Sequence, residues 1–196
     1  MSGSAKDVFY AIDERLRTAR FGLQDMSHPA RSHSGLYNAV VFGRMVTFVL
    51  QNLRTIAPDF DDWYGPKQEE MRADPLMRYF HDLRTEIEKQ AGRHTSASAL
   101  IRSFSTEDIR RFQPAPPGAV GFFIGDQNGG SGWQIKLSDG STDKYYVDLP
   151  PDIGEVTLHL PKAPDPYKEK PARELVGQYL DRLEGLIAEA KQRFSS

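Results

Sequence analysis

The sequence predicts an α+β protein in which an antiparallel four-helix bundle carries a four-stranded antiparallel β-meander inserted before the last helix. Two patterns support this. Apolar residues recur every three or four positions early in the chain and again near its C-terminus, which is typical of helices that bury one face. Between these parts the period changes to two, as in strands with one packed face. With 196 residues, 39% of them hydrophobic, the chain can form its own core.

Three long helices and a short one are predicted within residues 1–96, which form the helical part of the bundle. The first, over residues 6–26, has an apolar stripe at helical spacing. The second, over residues 34–56, is apolar on nearly all sides, which indicates a central position. A connector follows it. A short helix over residues 66–73 precedes the third long helix, which begins at Asp74, the capping residue.

The second half of the chain is predicted to be mainly β-structure. Residues 97–118 form a linker with a short helix. Residues 119–161 contain four alternating segments separated by Gly-, Asp- and Pro-rich turns, which together predict the meander. The last helix lies within residues 170–196, and because it cannot bury its apolar stripe alone, we expect it to complete the bundle.

Composition excludes several kinds of protein. The net charge of −2 gives no overall basic field for nucleic acid or anionic lipid. The chain has no cysteine, so thiol nucleophiles and thiolate zinc sites are excluded. No apolar run reaches the ~20 residues of a membrane span, and no signal peptide is visible, so we expect a cytoplasmic protein without a membrane partner. No motif indicates a cofactor or a metal site.

The third long helix has a charged edge in which His81, Arg84 and Glu88 share one stripe beside the apolar face. Its segment LRTEIEKQAG, residues 83–92, resembles the motif of the HEPN family, in which an Arg is followed by a His on a late bundle helix. Arg84 matches the family Arg. Lys89 occupies the first position that the family His would take, so the motif His is absent.

The resemblance implies a small helical protein that acts as a homodimer, often as an RNase of toxin–antitoxin or phage-defence systems. Because the motif His is absent, however, we expect a non-catalytic interaction protein that binds an RNA or protein partner. The alternative is a divergent, metal-independent RNase in which Arg84 stabilises phosphate charge and His81 or His94 acts as the acid and base.

Further binding residues are predicted in the linker. Arg102, Arg110 and Arg111 stand close to Phe104 and Phe112, and arginine with aromatic residues suits stacking on single-stranded nucleic acid. With Arg84 and Lys89 they complete the predicted binding set. The alternative for this segment is an amphipathic linker helix with a solvated charged face.

Overall fold

The computed structural model of the chain describes residues 4–89, 92 and 94–195. The α-helices are α1 (Ala5–Asp25), α2 (Ser32–Leu50), α3 (Phe60–Ala73), α4 (Pro75–Lys89) and α5 (Ala172–Phe194). The strands are β1 (Ser96–Ile101), β2 (Ala119–Phe123), β3 (Ser131–Lys136), β4 (Thr142–Val147) and β5 (Gly154–His159). Short 3-10 helices lie at Pro29–Arg31, Gln51–Thr55 and Asp108–Phe112. The predicted α+β class is confirmed.

The strands form two antiparallel sheets, so the predicted four-stranded meander is not what the structure contains. β2, β3 and β4 pair in that order as a three-stranded meander. The fourth predicted strand, β5, pairs instead with β1, which lies at the end of the predicted helical part and in the predicted linker. Local periodicity does not reveal such a pairing, because the first half of β1 consists of small residues and its partner lies far along the chain.

The helical part contains five helices, and the structure does not confirm a simple four-helix bundle. α1 and α2 pack side by side, α5 packs against α1, α2 and α4, and α3 contacts α4. The segment predicted as a connector and a short helix is the continuous helix α3, with Pro66 inside it. Phe60 and Tyr64, one turn apart and both buried, explain this earlier start, because they anchor the first turn of α3 in the core.

α1 and α2 approach each other closely where two glycines face each other. A Cβ atom added to Gly22 would come within 2.6 Å of both the backbone nitrogen of Ala39 and the carbonyl oxygen of Gly35. A Cβ atom added to Gly35 would come equally close, 2.6 Å, to the carbonyl oxygen of Gly22. The two backbones therefore touch, and only residues without a side chain fit at this crossing.

The β2–β3 hairpin is attached to the helices through a buried carboxylate. Asp126 Oδ1 accepts hydrogen bonds from the backbone N–H groups of Asn128 and Gly130, both at 2.9 Å. Its Oδ2 accepts from Lys144 Nζ at 2.7 Å and from the Tyr146 hydroxyl at 2.8 Å. The loop held in this shape presents the carbonyl oxygen of Asn128 to the buried hydroxyl of Ser32, which donates to it at 2.9 Å.

We expect Gly22→Ala to lower the free energy of unfolding by about 1–3 kcal/mol, because its Cβ collides with backbone that cannot move aside. Gly185→Ala on α5 is the matched control: its Cβ would meet nothing within 4 Å, so the gain in helix propensity of about 0.5–1 kcal/mol is unopposed. Urea denaturation of both variants measures the difference. Equal effects of the two substitutions would contradict the close crossing.

Asp126→Asn should destabilise the protein by roughly 1–3 kcal/mol at neutral pH. Burial raises the pKa of Asp126, but hydrogen bonds, that from Lys144 first, lower it more, so the net pKa lies below the ordinary value. Stability from such a group is present above the ordinary pKa of about 3.9 and is lost as the pH falls through the lower, folded-state value. The difference between wild type and variant, measured by urea denaturation, should therefore shrink below about pH 4. A difference that is independent of pH would contradict this role.

Candidate anion-binding pocket

A cavity of about 230 Å³ opens between α2, α3, α4 and α5, near the end of α2. Polar, aromatic and apolar side chains share its wall. The lining residues are Arg44, Thr47, Gln51, Tyr64, Gln68, Met71, Arg72, Met77, Arg78, His81, Tyr179 and Leu183. Pockets for drug-sized ligands enclose roughly 300–1,000 Å³, so this one suits a small group.

Apart from the two tyrosines, every ionisable side chain in the lining is a basic residue. These basic residues are Arg44, Arg72, Arg78 and His81, and neither aspartate nor glutamate lines the cavity. Arg72 pairs with Glu69 at 2.5 Å on the exposed side of α3. For Arg78, the described residues provide no ion-pair partner. The cavity therefore combines several positive groups from three helices without a negative group of its own.

Arg44 is the most unusual of these groups, because it is half-buried and has no carboxylate partner among the described residues. One guanidinium nitrogen donates a hydrogen bond to the buried hydroxyl of Thr47. The guanidinium carbon lies 4.3 Å from the ring centre of Phe48. These contacts fix its position but do not neutralise it, and a charge withdrawn from water without a counter-charge is costly.

Two buried tyrosines add hydroxyl groups to the cavity. Burial raises the pKa of both Tyr64 and Tyr179, and the nearby positive charge of Arg44, which lowers it, does not offset the effect. Both phenols are therefore protonated at neutral pH and can donate hydrogen bonds. The hydroxyl of Tyr64 interacts with Gln68, whereas that of Tyr179 has no hydrogen-bond partner among the described residues.

The position of Tyr179 follows from a glycine on the facing helix. A Cβ atom added to Gly43 would come within 2.7 Å of Tyr179 Cε1, so the ring of Tyr179 lies directly on the backbone of α2. Phe80 stacks on the same ring from α4, with ring centres 4.5 Å apart. The tyrosine is thus held between two helices, close to Arg44 in the next position along α2.

One aspartate fixes α4 against α5 below the cavity. Asp74 Oδ1 accepts from the backbone N–H of Leu76 at 2.8 Å, which caps the start of α4 as predicted. Its Oδ2 accepts from Arg182 Nε on α5 at 2.7 Å. This shared carboxylate helps to fix the position of the start of α4 relative to α5. Arg78 and His81, which line the cavity, follow in the first turns of α4.

The residues predicted from the charged edge of the third long helix lie at or near this cavity. His81 lines it, while its Nδ1 contacts the carboxylate of Asp82 at 3.1 Å. Arg84 pairs with Glu88 at 2.8 Å and lies 5.9 Å from the ring centre of Phe48. Arg84 does not line the cavity, but it approaches the ring of Phe48, which Arg44 also contacts.

His94 is placed elsewhere. Its side chain is only 5% exposed, and its Nδ1 lies 3.5 Å from Glu86 Oε2. The rings of His94 and Tyr37 pack edge to face, 5.9 Å apart. Residues two apart on a helix face different ways, so the contacts of His94 with Glu86 separate it from Arg84.

The other predicted binding residues are dispersed. Lys89 is exposed at the end of α4. Arg102 donates to the carbonyl oxygen of Pro151 at 2.8 Å, and Arg111 forms a paired contact with Asp152 at 2.6 and 3.0 Å. Arg110 is exposed on the 3-10 helix. Phe112 is buried against the β2–β4 sheet, so it is not available to stack on a base.

Arg44, the strongest feature of the pocket, was not among the predicted site residues, although the sequence contains one signal for it. Arg44 is the only Lys, Arg, Asp or Glu in the nineteen residues of α2, which is the most apolar of the helices. A single charged residue in a helix that packs on most sides is unusual, because burying a charge is costly. Tyr179 gave no such signal, because aromatic residues on an apolar stripe are ordinary in cores.

The described residues lack two features. They contain no group of three or more His, Asp or Glu placed to hold a metal ion. None of their helices has the length and apolarity to cross a membrane. The fold and the pocket define a mixed α+β protein with a cavity among its helices that arginine side chains line.

The chain belongs to the family described as bacteriophage lambda protein ea47, whose model matches residues 10–115, more than half of the 196 residues. The match begins within α1 and continues through α2, α3, α4, β1 and the 3-10 helix that follows β1. Neither a curated protein nor a solved structure matches the chain. The predicted HEPN resemblance is therefore wrong, and the expectations that depended on it lose that support. A single Arg on a helix, without its His, is too short a pattern to identify a family.

Proposed function

We propose that the protein is a non-catalytic binding protein that takes up a phosphate group of its ligand in the cavity between α2, α3, α4 and α5. The half-buried guanidinium of Arg44, which lacks a carboxylate partner among the described residues, is the observation that carries this proposal. A negatively charged ligand would compensate the charge that the protein leaves unpaired.

Phosphate suits the arrangement of donors better than a single carboxylate. Arg44 approaches from α2, Arg78 and His81 from α4, and the hydroxyl of Tyr179 from α5. A phosphate group accepts hydrogen bonds on several oxygens that point in different directions, and arginine matches its geometry. The cavity size also favours a phosphate group with a small attached moiety over a large cofactor.

The ligand class extends to phosphates of an RNA chain as well as to small phosphorylated molecules. Phe48 is 47% exposed and stands between Arg44 and Arg84, so a longer ligand would find an aromatic ring and a second guanidinium beside the cavity. Inorganic phosphate, a nucleoside monophosphate and a short single-stranded RNA are therefore the three probes to compare.

Titration calorimetry with these probes should detect binding to the wild type that weakens as ionic strength rises. Arg44→Gln should weaken it at least about tenfold, since a hydrogen bond to a charged group contributes roughly 1.5–3 kcal/mol. Arg17→Gln is the matched control, because Arg17 is exposed on α1 and paired with Glu14.

Circular dichroism verifies that both variants are folded. If none of the three probes binds the wild type, or if Arg44→Gln binds as tightly as Arg17→Gln, the proposal is refuted. Tighter binding of RNA than of the two small probes would identify RNA as the ligand. The reverse order would identify a small phosphorylated molecule.

A further inference from the structure

Three of the four outer sheet edges carry features that prevent pairing with another chain. On β2 the register shifts between Ala119 and Gly121, which is a bulge-type irregularity. β4 contains the exposed charges of Asp143 and Lys144. Beyond β5, His159 forms a single bridge to Pro171 at the start of α5. Bulges, charges and proline are the usual protection of edge strands.

The fourth edge, β1, lacks all of these features. Its sequence SASALI contains neither a charge nor a proline, and its pairing with β5 runs in continuous register from Ser96 to Ile101. All six residues are exposed, and Leu100 and Ile101 remain 60% and 52% exposed. Among the described residues, no strand other than β5 pairs with it.

The free backbone groups of this edge can be assigned to particular residues. The N–H of Arg102 donates to the carbonyl oxygen of Ile153 at 2.8 Å, on the β5 side. N–H and C=O groups alternate between the two sides along a strand, so even-numbered residues face β5. The outward N–H and C=O groups therefore belong to Ala97, Ala99 and Ile101.

We propose that β1 pairs with β1 of a second copy of this chain, antiparallel, about a two-fold axis that passes beside Ala99. The two sheets then join as β5–β1–β1–β5. An isologous interface of this kind uses the same surface on both copies. Ala99 exchanges both backbone hydrogen bonds with Ala99 of the second copy, and Ala97 does so with Ile101 of the second copy.

The side chains fit this register. Each large residue faces a small one, because Leu100 stands opposite Ser98 of the second copy and Ile101 opposite Ala97 of the second copy. On the axis, two alanine side chains meet. The strand carries no charge, so no like charges oppose each other across the axis.

The interface is independent of the anion pocket, since no residue that lines the pocket belongs to β1. A six-residue strand is a small contact. Interfaces at this end of the size range are weak. The dimer should therefore form and dissociate within the range of concentrations that ultracentrifugation can follow.

Ala99→Pro tests the proposal, because it removes an outward N–H that β5 does not use, and proline is tolerated at such edge positions. Ala99→Ser, which keeps the N–H and a small side chain, is the control. Sedimentation velocity from micromolar to millimolar protein should show a monomer–dimer equilibrium for wild type and Ala99→Ser. Ala99→Pro should stay monomeric, with an unchanged circular dichroism spectrum.

A charge exchange gives a second test, in which circular dichroism again verifies that each variant is folded, because Ala99 lies beside Gly125 of the β2–β3 loop. Ala99→Lys and Ala99→Asp should each be monomeric, because like charges meet on the axis, and an equimolar mixture should form a heterodimer. A wild type that is monomeric up to millimolar concentration overturns the proposal. So does an Ala99→Pro or Ala99→Lys variant that dimerises as the wild type does.

Discussion

Gly22 and Gly35 let α1 and α2 approach until their backbones touch, and the remaining helices are arranged around that pair. α5 packs on both helices, and α4 packs on α2 and α5. The close crossing also sets the position of the turn between α1 and α2, where Ser32 donates to the β2–β3 loop. This contact thus positions α2, which carries Arg44 of the pocket and, at its start, the Ser32 that holds the hairpin loop.

The proposed binding pocket is built from positions that would otherwise belong to the core. Gly43 has no side chain, so the ring of Tyr179 can lie directly on the backbone of α2. The next residue, Arg44, has a positive charge without a carboxylate partner among the described residues. Burial keeps the phenol of Tyr179 protonated by raising its pKa. The hydroxyl and guanidinium are therefore fixed before a ligand arrives, which lowers the entropy that binding has to offset.

Periodicity in the sequence predicted the α+β class, the helices that became α1, α2, α4 and α5, and the strands β2 to β5, because each is encoded by its own apolar spacing. Periodicity did not predict the elements whose structure depends on contacts with residues far away in the sequence. β1 is a strand because it pairs with β5, and α3 starts earlier than predicted because Phe60 and Tyr64 are buried in the core. Among the site residues predicted from the sequence, His81 lines the pocket, whereas Arg84 is paired with Glu88 outside its lining. Arg44 became notable only when its neighbours were known.

The cavity takes its walls from both ends of the chain. Arg44 and Tyr64 come early, but Tyr179 and Leu183 follow the whole β region. During synthesis the cavity is open on one side until α5 has left the ribosome and packed. A ligand that contacts all four helices would bind only the completely folded protein. Its binding would therefore stabilise the packing of α5 against the N-terminal helices. The ligand would then act as a clasp between the first and last parts of the polypeptide.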